Sequence, residues 1–233
     1  MTLSTSLVIF IVLIIILAIQ RSRLVYEVSG TSLLLFGSTK PGIGLYSFFF
    51  LPGTIIHELS HWIVAEILQV RTGAITIFPD LREEGESQRL GSVATAKSDP
   101  FRGFLIGVAP FVTGIGILLV LGRLLLLGWN NFAWWQLTLI IYGIMVIGNS
   151  MIISKEDRRT WPFIILVLAL VIIFLIRSKY SLSPSSSQLL AQTFSSLNLV
   201  LGVTAGVNLV MIGGSYLTRS LVERVTKRRI IRK

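Results

Sequence analysis

Apolar positions along this chain fall in long blocks rather than in the stripes of water-facing helices. Six blocks read as membrane-spanning helices, at roughly 5–20, 44–69, 103–127, 135–153, 162–177 and 195–217. About 20 apolar residues at helical rise cross a hydrocarbon layer, and most of the blocks approach that length. The stretch from Ser32 to Leu45 is apolar but broken by Lys40, Pro41 and glycines, which predicts a re-entrant or strand-like segment. Val70 to Phe78 and Leu90 to Ala96 are rich in Val, Ile and Thr and flank a charged run from Asp80 to Arg89, a pattern that predicts a β-hairpin. The expected fold is an all-α polytopic membrane protein of about six transmembrane helices with a small cytoplasmic-side β-hairpin. Residues 1–233 then form one membrane-embedded domain.

Composition supports that solvent. Of 233 residues, 53% are hydrophobic and 14% charged, against about 25% charged in an ordinary soluble domain, and the mean hydropathy is +0.79. No Lys or Arg precedes the first apolar stretch (Leu7 to Ile19) and no small-residue cleavage site follows it, so an uncleaved first span is expected. The net charge of +10 fits basic loops held at one membrane face better than nucleic-acid binding, so no nucleic-acid partner is expected. With six spans and a cytoplasmic N-terminus, 15 of the 21 Lys and Arg residues lie on the cytoplasmic side, which predicts both termini inside, in the cell membrane. The basic residues from Arg219 to Lys233 read as a topology anchor, and Gly202 and Gly206 as a tight-packing face of the last span. The sequence leaves the oligomeric state open.

The chemistry is concentrated in His57-Glu58-Leu59-Ser60-His61. On a helix His57 and His61 lie one turn apart on one face, so both imidazoles reach one tetrahedral ion. Glu58 stands beside that face as general base for an activated water. The chain has no cysteine and only these two histidines, so any metal site must use nitrogen and oxygen ligands, and Zn2+ is the expected ion. Ionisable side chains inside an apolar helix are costly and mark function. A catalytic zinc takes three protein ligands and keeps an open position. Glu66, nine residues after His57, points about half a turn away. The third ligand is therefore expected from a carboxylate near a span end: Asp99, Glu156 or Asp157.

These residues resemble the site-2 family of intramembrane zinc metalloproteases, whose members carry a transmembrane HExxH helix and a later Asn-x-x-Pro-x-x-x-Leu-Asp-Gly segment. Asn149 to Asp157 has the family's eight-residue spacing, with Ile152 in place of the Pro, Glu156 in place of the Leu and Arg158 in place of the Gly. The resemblance covers about 45–162 and implies Asp157 as third ligand, with Glu156 its alternative, and Asn149 near the site, steadying substrate or oxyanion. Gly107-Val108-Ala109-Pro110 is similar to a Gly/Pro-broken helix of the family but reads rather as an ordinary packing kink. The implied activity is hydrolysis of peptide bonds within or beside transmembrane segments of membrane-protein substrates in the lipid bilayer. The competing expectation is an inactive membrane protein that uses the cluster for structural metal binding or helix packing.

Overall fold

The computed structural model describes residues 2–77, 92–96, 98–152 and 183–229, with the isolated helical positions 166, 169, 170, 173 and 177. The described chain is helical apart from one small sheet. Its elements are α1 (Leu3–Phe36), α2 (Lys40–Phe49), α3 (Leu51–Ile67), β1 (Thr72–Thr76), β2 (Ser92–Thr95), α4 (Pro100–Gly128), α5 (Trp134–Ser150) and α6 (Pro184–Thr226). Three helices, α1, α4 and α6, are long and apolar enough to cross a membrane. The expected fifth span, 162–177, lies outside the described residues except at those isolated positions.

The first span was expected to stop near residue 20, yet α1 runs 34 residues, to Phe36. Arg21, Arg23 and Glu27 do not end a helix; termination needs a backbone device, supplied by Gly37 at φ 70°, whose N–H bonds Leu33 O. The predicted re-entrant or strand-like stretch is instead the end of α1, a short turn and the start of α2. Pro41 in the first turn of α2 gives up an amide that has no helical acceptor. At Gly42 a Cβ would stand 2.7 Å from Val28 O and 2.8 Å from Ser32 Cβ, so only glycine lets α2 fold back onto α1. Ser32 stitches the corner, accepting from Gly42 N–H at 2.9 Å and donating to Ser38 O at 2.8 Å.

The second expected span is two helices. Phe50 (φ −95°, ψ 7°) lies between α2 and α3, just before Pro52, whose missing N–H breaks the ladder there. The far end of α3 closes with Gln69 at φ 56°. Val70 N–H bonds Ala65 O and Gln69 N–H bonds Glu66 O, the paired bonds of a Schellman cap. The predicted hairpin is present as antiparallel β1 and β2, with Thr72 opposite Thr95 and Ile75 opposite Val93.

Helix directions follow from the contacts. Phe49 O accepts from Tyr142 Oη, Gly53 packs on Val146 and His57 meets Ser150, a constant offset of 93 residues, so α3 and α5 run parallel. Gly143 meets Leu121 and Gly114 meets Met151, so α4 runs antiparallel to α5. Across this layer lie α1 and α6. Asn198 donates to Ser6 O near one end of the pair and Arg219 binds Glu27 toward the other, which makes α1 and α6 parallel. The N-terminal end of α1 (Leu3) and the C-terminal end of α6 (Thr226) therefore lie at opposite ends of this pair. The core between the layers gathers Phe10, Leu17, Leu118, Ile144, Leu197 and Leu201. Among the described residues nothing lies within 4 Å of a Cβ built at Gly202 or Gly206, whereas Gly53, Gly114, Gly122 and Gly148 are in close contact. Outward faces carry Ile11, Ile15, Ile19, Leu126 and Val210, all more than half exposed, as lipid-facing helices do.

Candidate metal centre

Helix α3 carries the motif, and its three side chains sit where the helix presses against α4 and α5. His61 is 7% exposed, Glu58 5%, and His57 is half-buried at the rim. The imidazole centroids are 4.9 Å apart with planes 83° to each other. One helical turn between them sets that separation.

Each ring is held by a backbone carbonyl. His57 Nδ1 lies 2.7 Å from Ser150 O, and His61 Nδ1 lies 2.7 Å from Ile106 O. A carbonyl can only accept, so Nδ1 carries the proton in both rings, and in the neutral imidazoles the lone pair is on Nε2. Metal-binding histidines are characteristically fixed this way, the second nitrogen donating to a carbonyl or carboxylate that sets tautomer and ring angle. The two Nε2 nitrogens are of the kind that zinc takes, and supply two of the three protein ligands that a catalytic site uses.

Among the described residues neither carbonyl has a donor within its own helix. Ile106 is four residues before Pro110, which sits inside α4 and has no N–H to give to Ile106 O. Ser150 is the last residue of α5, so its carbonyl has no donor further along the helix. Pro110, read from sequence as a kink, therefore exposes an acceptor to His61. The signal was present in the spacing, but its use depends on α3 lying against α4.

Of the carboxylate candidates, Asp99 is the N-cap of α4. It accepts from Phe101 N–H and Arg102 N–H at 3.1 and 3.0 Å and pairs with Arg102 at 3.3 Å. Those contacts, the Arg102 amide first, hold its carboxyl below the usual range. Glu66 is exposed and accepts from Thr72 Oγ1 at 2.6 Å, turned toward β1. Asp157 and Glu156 lie outside the described residues. Among the described residues no three His, Asp or Glu side chains are grouped to hold a metal.

Asn149 is 2% exposed and its amide is committed to α6. Its Nδ2 donates to Asn208 Oδ1 at 3.0 Å, Asn208 Nδ2 donates back to Asn149 Oδ1 at 2.9 Å, and Nδ2 also reaches Met145 O at 2.8 Å. The residue that touches His57 is its neighbour, Ser150. Gly148 lets the helices close here, since a Cβ would meet Thr204 Oγ1 at 2.7 Å. Asn208 carried no motif in the sequence; only the contact between α5 and α6 reveals it. Arg21 of α1 donates to Ile152 O at 3.5 Å, two residues beyond Ser150.

No family model, no curated protein and no solved structure matches this chain.

Proposed function

We propose that the chain is a multi-pass intramembrane zinc metalloprotease of the site-2 type, cutting peptide bonds within or next to transmembrane segments of other membrane proteins. The observation that carries the reading is the pair of 2.7 Å bonds from both histidine Nδ1 atoms to helix carbonyls that have no intrahelical donor. Two rings at one-turn spacing, each fixed in the same tautomer, are an arrangement for holding one ion.

In this reading His57 and His61 are zinc ligands and Asp157 is the third, with Glu156 the alternative. Asp157 is five residues beyond Ile152, within about 17 Å of extended chain. Zinc supplies Lewis acidity toward the scissile carbonyl and toward the attacking water. Glu58 takes the water's proton and delivers it to the leaving amine. Burial at 5% exposure keeps Glu58 in a low-dielectric wall, where a proton is transferred rather than lost to bulk water. Asn149 acts from behind the site: its lock on Asn208 fixes the end of α5, and with it the Ser150 carbonyl that aims His57. The β1–β2 sheet offers a short edge beside the motif helix, suited to an unwound substrate strand.

The test is cleavage of a labelled transmembrane substrate by purified protein. Glu58→Gln should keep zinc and lose cleavage. Cleavage that survives Glu58→Gln would rule out Glu58 as the base, and zinc bound with no cleavage by wild type would point to the second reading, a structural metal site in which removing zinc lowers stability alone.

A further inference from the structure

The parallel pair α1 and α6 has a sharply one-sided charge. From the Ser6–Asn198 contact to the Glu27–Arg219 contact both helices advance 21 residues, or about 32 Å at helical rise, close to the hydrocarbon thickness of a bilayer. Before Arg21 in α1, and before Arg219 in α6, neither helix carries a charged side chain. At the other end α1 brings Arg21 and Arg23. There α6 and its last described residues bring Arg219, Arg224 and Lys227 to Arg229.

That end is built, not merely charged. Glu27, with no exposed side-chain area, is paired by Arg219 at 2.5 Å and by Arg23 at 2.7 Å; Arg219 also binds Glu223 at 2.7 Å. Both arginines lie over the Tyr26 ring, at 5.2 and 5.6 Å from its centroid, and Arg219 also lies over Tyr216 at 5.5 Å. Tyrosines with snorkelling arginines are the side chains of a headgroup layer. The opposite end of α6 is uncharged and polar, Pro184 to Ser187 followed by Gln188, Gln192 and Thr193.

The structure assigns the common C-terminal end of α1 and α6 as a basic collar that binds anionic phospholipid headgroups of the cytoplasmic leaflet, with the N-terminus on the opposite face. Lys and Arg side chains are drawn to an anionic leaflet, so the collar end, not the uncharged end, stays inside. Parallel helices cannot place both chain termini on that side. The site lies toward the same face, because Arg21 reaches Ile152 O beside Ser150. The inference rests on the membrane reading but not on zinc or proteolysis.

The chain has no cysteine, so Ser4→Cys and Val225→Cys each give a single reporter on this chain. In intact cells a membrane-impermeant maleimide should label Ser4→Cys at once and Val225→Cys only after the membrane is opened. Labelling of both on the same side, or in the reverse order, overturns the inference; recovery in the soluble fraction overturns the membrane reading as well. In nanodiscs the Tm should be several degrees higher in phosphatidylglycerol than in phosphatidylcholine. Replacing Lys227, Arg228 and Arg229 together with Gln should erase most of that difference, and an undiminished difference overturns the collar.

Discussion

Replacing Pro110 with Ala should make the metal-free fold more stable and its zinc site weaker. Pro110 lies inside α4 and removes the donor that would pair with Ile106 O, which instead accepts from His61 Nδ1 at 2.7 Å. An interior proline costs a helix about 3 kcal/mol relative to alanine. Pro110→Ala restores the amide donor and removes the ring's clash with the Ile106 carbonyl, so the apo protein gains up to about 3 kcal/mol. The same change draws Ile106 O back into the helix ladder and away from His61. Loss of such an outer hydrogen bond weakens zinc about 10- to 100-fold, or about 1.4–2.7 kcal/mol. The two effects have opposite signs, which separates them from general damage. Thermal unfolding of metal-free protein in detergent reads the first, and chelator competition for zinc reads the second. A variant that is more stable but binds zinc as tightly as wild type would refute the role given to the Ile106 carbonyl.

Asn208→Leu should cost about 1–3 kcal/mol, because it leaves the Asn149 amide buried without its reciprocal partner. Asn149→Leu combined with Asn208→Leu should cost much less than the sum of the singles, measured by thermal unfolding; full additivity would rule out the pair as a unit. Gly53→Ala places a Cβ 2.7 Å from Val146 Cγ1 and 2.8 Å from Val146 O, one turn before His57. The overpacking should cost about 1–3 kcal/mol and weaken zinc together with Tm as α3 moves off Ser150. Asp99 has its folded pKa lowered by the Arg102 amide first and the Arg102 charge after it. Its stabilising contribution is present above the unfolded carboxylate pKa and lost as pH falls through the lower folded value. Tm against pH should therefore flatten in that acid window in Asp99→Asn, and an unchanged profile would count against the cap.

What could be read from the sequence was local. The HExxH spacing placed His57 and His61 on one helix face with Glu58 beside it, because a four-residue interval has the same meaning in any helix. The Val/Ile/Thr runs around residues 70–96 located the two strands for a similar reason. The length of α1 was not legible, since Arg21, Arg23 and Glu27 look like the end of an apolar span. The helix runs on through them to Gly37, with Glu27 paired to Arg23 and to Arg219 far along the chain, and Arg21 turned to Ile152 O. The direction of α6 relative to α1 has no local signal at all. Counting basic residues in alternating loops assumes every apolar block crosses, and α2 and α3 are a kinked pair in which α2 has only 10 residues. The supports of the site, Ser150 O, Ile106 O and Asn208, are legible only once α3, α4, α5 and α6 are packed. Each belongs to a different helix from the motif it serves.

The central claim, that His57 and His61 form a zinc site, is tested most directly by equilibrium zinc titration of the purified chain beside His57→Ala and His61→Ala. The account predicts one zinc per wild-type chain and loss of tight binding in either variant, with the fold retained by circular dichroism. No tight zinc in wild type, or tight zinc that persists when both histidines are replaced, would contradict it.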